Sequence, residues 1–135
     1  MAKKKIKFLY HTTGLKNLPS VEKYGLDPEK AAGWSRVDGK MIEARPIYLA
    51  VDQLQSEAYG SYFEGQRAVV LRIDVSKLDK NKLGPDDVDL PGMLDQQGDD
   101  REWNEVGWTE SLKISGQCTY DGVIPPGAIR PVKEA

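Results

Sequence analysis

Leu9-Tyr10-His11-Thr12-Thr13 is the stretch on which the reading of this chain turns. Lys5 to Thr12 alternates imperfectly in hydropathy and carries Ile6, Phe8 and Tyr10 on one face, the period of a strand. His11, the only histidine, stands where that strand gives way to Thr12, Thr13 and Gly14. A neutral imidazole donates from one nitrogen and accepts at the other, so His11 can fix a ligand hydroxyl while a neighbour holds the ring. The small polar residues after it leave backbone groups open to a planar amide. A lone histidine at a strand end is more often satisfied by a turn, so its weight depends on the residues further along the chain.

A short helix is expected over Leu18 to Tyr24. Asn17 is the candidate cap, Pro19 lies in the first turn, and Gly25 supplies a left-handed stop. Asp27 to Ala44 has no sustained period and reads as a long loop, a lid or binding loop in a compact domain. Pro46 to Ala50 is a short strand, and Asp52 caps a helix running to about Tyr59. Arg67 to Val75 is the strongest strand, and its Ala68-Val69-Val70-Leu71 run implies a central position buried on both faces. Between Asp86 and Glu105 there are eight acidic residues and one arginine, with Pro91, Gly92 and Gly98 among them. The expectation for Leu83 to Glu105 is therefore an exposed, mobile connection. Val106 to Ile114 and Gln117 to Ile124 read as closing strands, with Pro125-Pro126 ending the last. This order predicts one α+β domain over residues 1–135, with short helices on a split, mainly antiparallel sheet.

Composition agrees with a folded domain. With 39% apolar and 30% charged residues the chain is neither disordered nor membrane-spanning, and no apolar run reaches the ~18 residues a span requires. A net charge of −2 gives no reason to expect nucleic acid or an anionic membrane from bulk electrostatics. Cys118 is the sole cysteine, so no intrachain disulfide can form, and Ile6 to Tyr10 is too short for a secretion signal. The cytoplasm is the expected compartment. Carboxylate spacing in the acidic stretch does not match a calcium loop, so no metal is expected.

Taken together, Leu9 to Thr13, the Gly25-Leu26 pair after one helix, and Ile47-Tyr48-Leu49-Ala50 resemble the ADP-ribosyltransferase superfamily. The branch is the His-Tyr-Glu one that includes diphtheria toxin and the poly-ADP-ribose polymerases. Ser56 and Tyr59 come after Tyr48 at the offsets found in the polymerases. The resemblance implies NAD as the substrate bound. It gives His11 the adenosine-side ribose, Thr12 a backbone contact to the nicotinamide amide, Tyr48 and Tyr59 the aromatic faces of the ring, and Ser56 the carboxamide. Aromatic faces suit a flat cationic ring, since π-systems attract cations. The match covers residues 7 to 60, with weaker support from 67 to 75. Thr12 stands where glycine is frequent, and Arg45-Pro46 replaces the small residue usually found before the tyrosine strand.

The third motif departs from the family. In small bacterial and phage relatives the late strand looks like Glu-Tyr-x-Tyr-x-Gly-x-Ile-Pro-Pro, and Gln117 to Pro126 fits that frame with Gln117 in the glutamate position. Glutamine keeps size and hydrogen bonding and loses the charge that would stabilise an oxocarbenium-like state. Glu110, beside Trp108 and Ser111, is the nearest carboxylate that could stand in, against the plainer reading of a solvated strand residue. In the family the equivalent of the acidic loop meets a protein or nucleic-acid target, here through a basic surface with Trp103 and Trp108 as candidate contact aromatics; the plainer reading is a solvated loop whose two tryptophans fold back on the core.

The resemblance thus implies an NAD-dependent mono-ADP-ribosyltransferase with His11, Tyr48, Gln117 and Glu110 as catalytic candidates. A non-catalytic module of the same fold, lacking the glutamate, is the first alternative. The second is an RNA 2′-phosphotransferase, which shares the fold and a similar start but uses further basic residues. Arg36, Arg45, Arg67 and Arg130 are the arginines it would need.

Overall fold

The structure, a computed structural model, describes residues 6–27, 36–37, 40–41, 47–52 and 67–134. Strand β1 (Phe8–Gly14) leads through a 3-10 turn into helix α1 (Leu18–Tyr24). Two short strands, β2 (Arg36–Val37) and β3 (Lys40–Met41), pair with each other inside the stretch expected to be loop. Then come β4 (Ile47–Ala50), β5 (Ala68–Asp74) and β6 (Leu83–Pro85). Helix α2 (Leu90–Gln96), helix α3 (Trp108–Ser115), β7 (Gln117–Tyr120) and β8 (Ile129–Glu134) complete the described elements. The protein is a mixed α and β structure.

Six strands form one antiparallel sheet in the order β6-β7-β4-β1-β5-β8. The β1–β5 ladder runs the full strand, from Phe8 opposite Asp74 to Gly14 opposite Ala68. β4 and β7 pair throughout, from Ile47 opposite Tyr120 to Ala50 opposite Gln117. Between β1 and β4 only Tyr10 and Ala50 are paired. Where a split, mainly antiparallel sheet was expected, the described strands form one six-stranded antiparallel sheet with a narrow seam, beside the separate β2–β3 pair.

Apolar pattern explains the strand positions. Ala68 to Leu71 are all buried, as a run without alternation requires, and Arg72 is exposed before Ile73 returns to the core. In β1 the core residue is Leu9, which is fully buried, whereas Phe8 lies on the outer side under the Arg72 guanidinium at 4.5 Å. Leu49, Leu71, Ile73, Cys118 and Ile124 complete the centre of the main core. Leu90, Leu94 and Val106 make a second, smaller cluster, with Trp103 and Ile114 packed on it.

Three expectations for the second half are corrected. Val106 to Ile114 is not a strand: Trp108 to Ser115 is α3, ended by Gly116 in the left-handed conformation at φ 81°. Trp108 and Leu112 fall on one helical face, and that period outweighs the β-propensity of single residues. Leu83 to Glu105 is not an open connection either. Pro91 is a first-turn proline of α2, a position that loses no helical hydrogen bond, and Leu90 and Leu94 recur one turn apart. Pro125-Pro126 does not close the sheet, because β8 comes after it and pairs with β5 past an irregularity at Val70/Leu71. β8 carries Pro131 and β6 carries Pro85, both on outer strands.

Helix α1 forms where expected with Asn17 at its N-cap position, but the Asn17 side chain makes no capping bond. Its side-chain amide donates instead to Thr13 Oγ1 at 3.3 Å. Gly25 has φ 82°, and its amide bonds Val21 O at 2.8 Å. The chain then turns so that Leu26 and Ile124 exchange two backbone hydrogen bonds of 2.9 Å. A Cβ at Gly25 would lie 2.0 Å from the Ile124 carbonyl oxygen. Gly25→Ala therefore meets both positive φ and a backbone clash, with an expected cost of roughly 2–4 kcal/mol. Urea denaturation of the two proteins checks this.

Candidate functional site

The seam beside Tyr10 and Ala50 is where the chemistry-bearing residues gather. His11 is half-buried, one residue past the last β1–β4 ladder pair, and its backbone faces Leu71 of β5. Its Nδ1 lies 2.8 Å from the Tyr48 carbonyl oxygen of β4. A carbonyl only accepts, so Nδ1 carries the hydrogen and Nε2 is left as an acceptor. Desolvation by burial lowers the His11 pKa below 6.5, while the bond to Tyr48 opposes this. The ring is neutral at pH 7. Thr12, next along β1, is buried and paired with Val70.

Tyr48 is held by its backbone between His11 and Thr119 of β7, and its phenol donates to Asp87 Oδ1 at 2.8 Å. Gln117 begins β7 opposite Ala50 and is 5% exposed. Its Nε2 donates to Asp89 Oδ2 at 2.8 Å. The acidic turn that supplies both carboxylates is itself firmly built. Asp86 is fully buried, and its Oδ1 accepts from the backbone of Val88 at 2.8 Å and of Asp89 at 3.3 Å. Asp86 N donates to Ser111 Oγ at 3.0 Å, and that hydroxyl donates on to Gln117 O at 2.7 Å. Thr119 Oγ1 donates to Pro85 O at 3.0 Å, tying β6 to β7 just before the turn. Residues Asp86 to Asp89 thus lie over Tyr48 and Gln117, fixed from α3 below.

These aspartates escaped the sequence reading because they belong to a stretch whose charge suggested solvent. The available signal was Asp86-x-x-Asp89 immediately before the Leu90/Leu94 spacing, a helix-entry pattern. Glu110 is on helix α3 rather than on a strand. Arg101 grips both its oxygens, Nη1 to Oε1 at 2.9 Å and Nη2 to Oε2 at 2.7 Å. That guanidinium holds the Glu110 carboxyl below its ordinary range and, with its other contacts, holds Asp99 down at about 2. The pairing is a brace between the 99–101 segment and α3. Trp108 packs on the main core and Trp103 on the smaller one, both partly buried.

Ser56, Tyr59 and Arg45 lie outside the described residues, as does the side chain of Arg36. Arg130 is on edge strand β8, beyond β1 and β5 from Tyr48, and exposed Arg67 precedes β5. Cys118 is buried in the core, and desolvation pushes its thiol up to about 12, so it is no nucleophile. Among the described residues no three acidic, imidazole or thiol groups converge to hold a metal, and no helix is long and apolar enough to cross a membrane. No family model and no curated protein matches this chain.

This geometry has two measurable consequences. Because the native His11 pKa is lowered, the unfolded chain binds more protons between that value and 6.5. Stability should therefore fall as pH drops below about 6.5, and His11→Gln should flatten that limb in melting curves taken from pH 7.5 to 5. Ser111→Ala removes a buried acceptor and donor at once, stranding Asp86 N and leaving Gln117 O only the long 3.5 Å bond from Ser115 Oγ. The expected loss is about 1–3 kcal/mol in denaturant unfolding.

Proposed function

We propose that this chain is an NAD-dependent mono-ADP-ribosyltransferase acting on a macromolecular target. The observation that supports the reading is the His11–Tyr48 contact across the seam. The two residues that motif resemblance pairs in one cleft come from strands far apart in sequence, and they are adjacent here, with the imidazole neutral and Nε2 available as an acceptor. Nothing in the strand pattern alone required a side chain of β1 to bond the backbone of β4 at Tyr48.

In this reading His11 Nε2 accepts a ribose hydroxyl, Thr12 offers backbone to the carboxamide, and Tyr48 provides one aromatic face. Ser56 and Tyr59 complete the nicotinamide pocket by resemblance. Gln117 sits beside the reacting ribose. When NAD is bound it supplies an activated glycosidic bond, and the chain's own task is to orient that bond and stabilise positive charge as nicotinamide leaves. The exposed carboxylates Asp95, Asp100, Glu102 and Glu105 favour a target with a basic surface. Gln117 in place of glutamate also favours a second reading, a binding module that keeps the cleft and does no chemistry.

NAD should raise the melting temperature of the wild-type protein, because a ligand that binds only the folded state stabilises it by mass action, about 2.7 kcal/mol at a hundredfold excess over Kd. His11→Ala and Tyr48→Ala should each remove that rise while far-ultraviolet dichroism stays native. An undiminished response in both variants would overturn the cleft. NAD binding without nicotinamide release would leave the module reading standing in place of the enzyme.

A further inference from the structure

We infer that Asp89 is the catalytic carboxylate of this site, presented to the substrate by Gln117. This rests on the transferase reading above and adds to it a residue from a different part of the chain. Four observations carry it. Gln117 is more than nine-tenths buried, and its amide nitrogen donates to Asp89 Oδ2 at 2.8 Å. That bond aside, no further side-chain hydrogen bond engages Oδ1 of the exposed Asp89 or Oε1 of Gln117 among the described residues. The Asp89 backbone is fixed by both Asp86 oxygens at 3.3 Å, and Asp86 is in turn held by Ser111, which also binds the Gln117 carbonyl. The neighbouring Asp87 accepts from the Tyr48 phenol at 2.8 Å, so the same turn touches Tyr48 as well as Gln117.

The chemistry needs one negative charge near C1′ of the nicotinamide ribose. The C1′–N1 bond breaks and its electron pair leaves on nicotinamide, which becomes neutral. Positive charge passes to C1′ and the ring oxygen. An acceptor hydroxyl, or water, forms the new C1′–O bond and releases its proton to solvent. Glutamine at 117 cannot stabilise that cation, but a carboxylate hydrogen-bonded to it can. Gln117 is then a positioning residue that directs Asp89, with its own Oε1 left to accept a ribose hydroxyl.

The arrangement makes a prediction opposite to simple restoration of the family glutamate. Gln117→Glu would set two carboxylates at hydrogen-bond distance, where like charges cannot both ionise cheaply. Gln117→Glu is therefore expected to lower nicotinamide release, not raise it.

The experiment measures nicotinamide release from NAD in water, NAD affinity by calorimetry, and melting temperature for the wild type, Asp89→Asn, Gln117→Glu and Glu22→Gln. Asp89→Asn keeps an acceptor for Gln117 and loses only the charge. Its expected result is a kcat about a hundredfold lower, with NAD affinity and melting temperature unchanged. Glu22→Gln, on an exposed position of α1, should match the wild type. Release by Asp89→Asn equal to or above wild type would overturn the inference, as would a gain in Gln117→Glu. A rise in NAD affinity of Asp89→Asn with no fall in kcat would mark the turn as an obstruction to substrate instead. Failure of the wild type itself to bind NAD would overturn the transferase reading and this inference with it, a result distinct from silence of Asp89→Asn in an active protein.

Discussion

The His11–Tyr48 hydrogen bond takes over where the ladder between β1 and β4 stops. Strands joined at one residue pair have little to hold them in register, since each ladder bond normally fixes its neighbours. The imidazole adds a second tether at 2.8 Å from the side-chain layer, and in doing so it commits its tautomer. Desolvation, outweighing the opposing bond to Tyr48, holds the His11 pKa down and favours the neutral ring. Fold and site thus depend on the same atom pair. The two halves of the sheet meet through a group that also offers Nε2 as an acceptor.

A second polar assembly supports the opposite side of the seam. Ser111 is fully buried, and its hydroxyl takes one bond and gives one, joining the acidic turn to the first residue of β7. The buried Asp86 carboxylate is spent on backbone amides of its own turn. No buried side-chain nitrogen or oxygen among the described residues is left unpartnered. Such a network fixes geometry more than it adds net stability, because the desolvation of each group offsets most of its bond. Its effect is to hold Asp87 and Asp89 within reach of side chains on β4 and β7.

Much of the first half was legible in the sequence, and the reasons are local. Helix α1 has a proline in its first turn and glycine after its end, and β5 has an uninterrupted apolar run, so period and punctuation agree there. The second half was harder because its punctuation is ambiguous. Pro91 and Gly92 suggest a loop, yet proline is welcome at a helix start, and only Leu90 and Leu94 one turn apart show which case applies. Trp108 to Ser115 is short enough that β-branched and aromatic residues mask a helical period. At the candidate site, motif spacing singled out His11, Tyr48 and Gln117, which the fold carries on the adjacent strands β1, β4 and β7. Asp86, Asp87 and Asp89 were not, since the partners that give them roles come from β4, α3 and β7, and pairing across such distances leaves no trace in neighbouring residues.

The two prolines of the outer strands bear on how copies of this protein behave toward one another. An open sheet ends in unpaired backbone groups on each side, and those edges are templates for a strand from another molecule. Here β6 is three residues long and finishes with Pro85, while β8 contains Pro131 close to a break in register with β5. Proline brings no N–H, and an irregular strand twists away from a flat partner. Neither rim can therefore be extended by an unbroken ladder, and the sheet resists edgewise polymerisation at high concentration through the chemistry of its margins rather than through net charge.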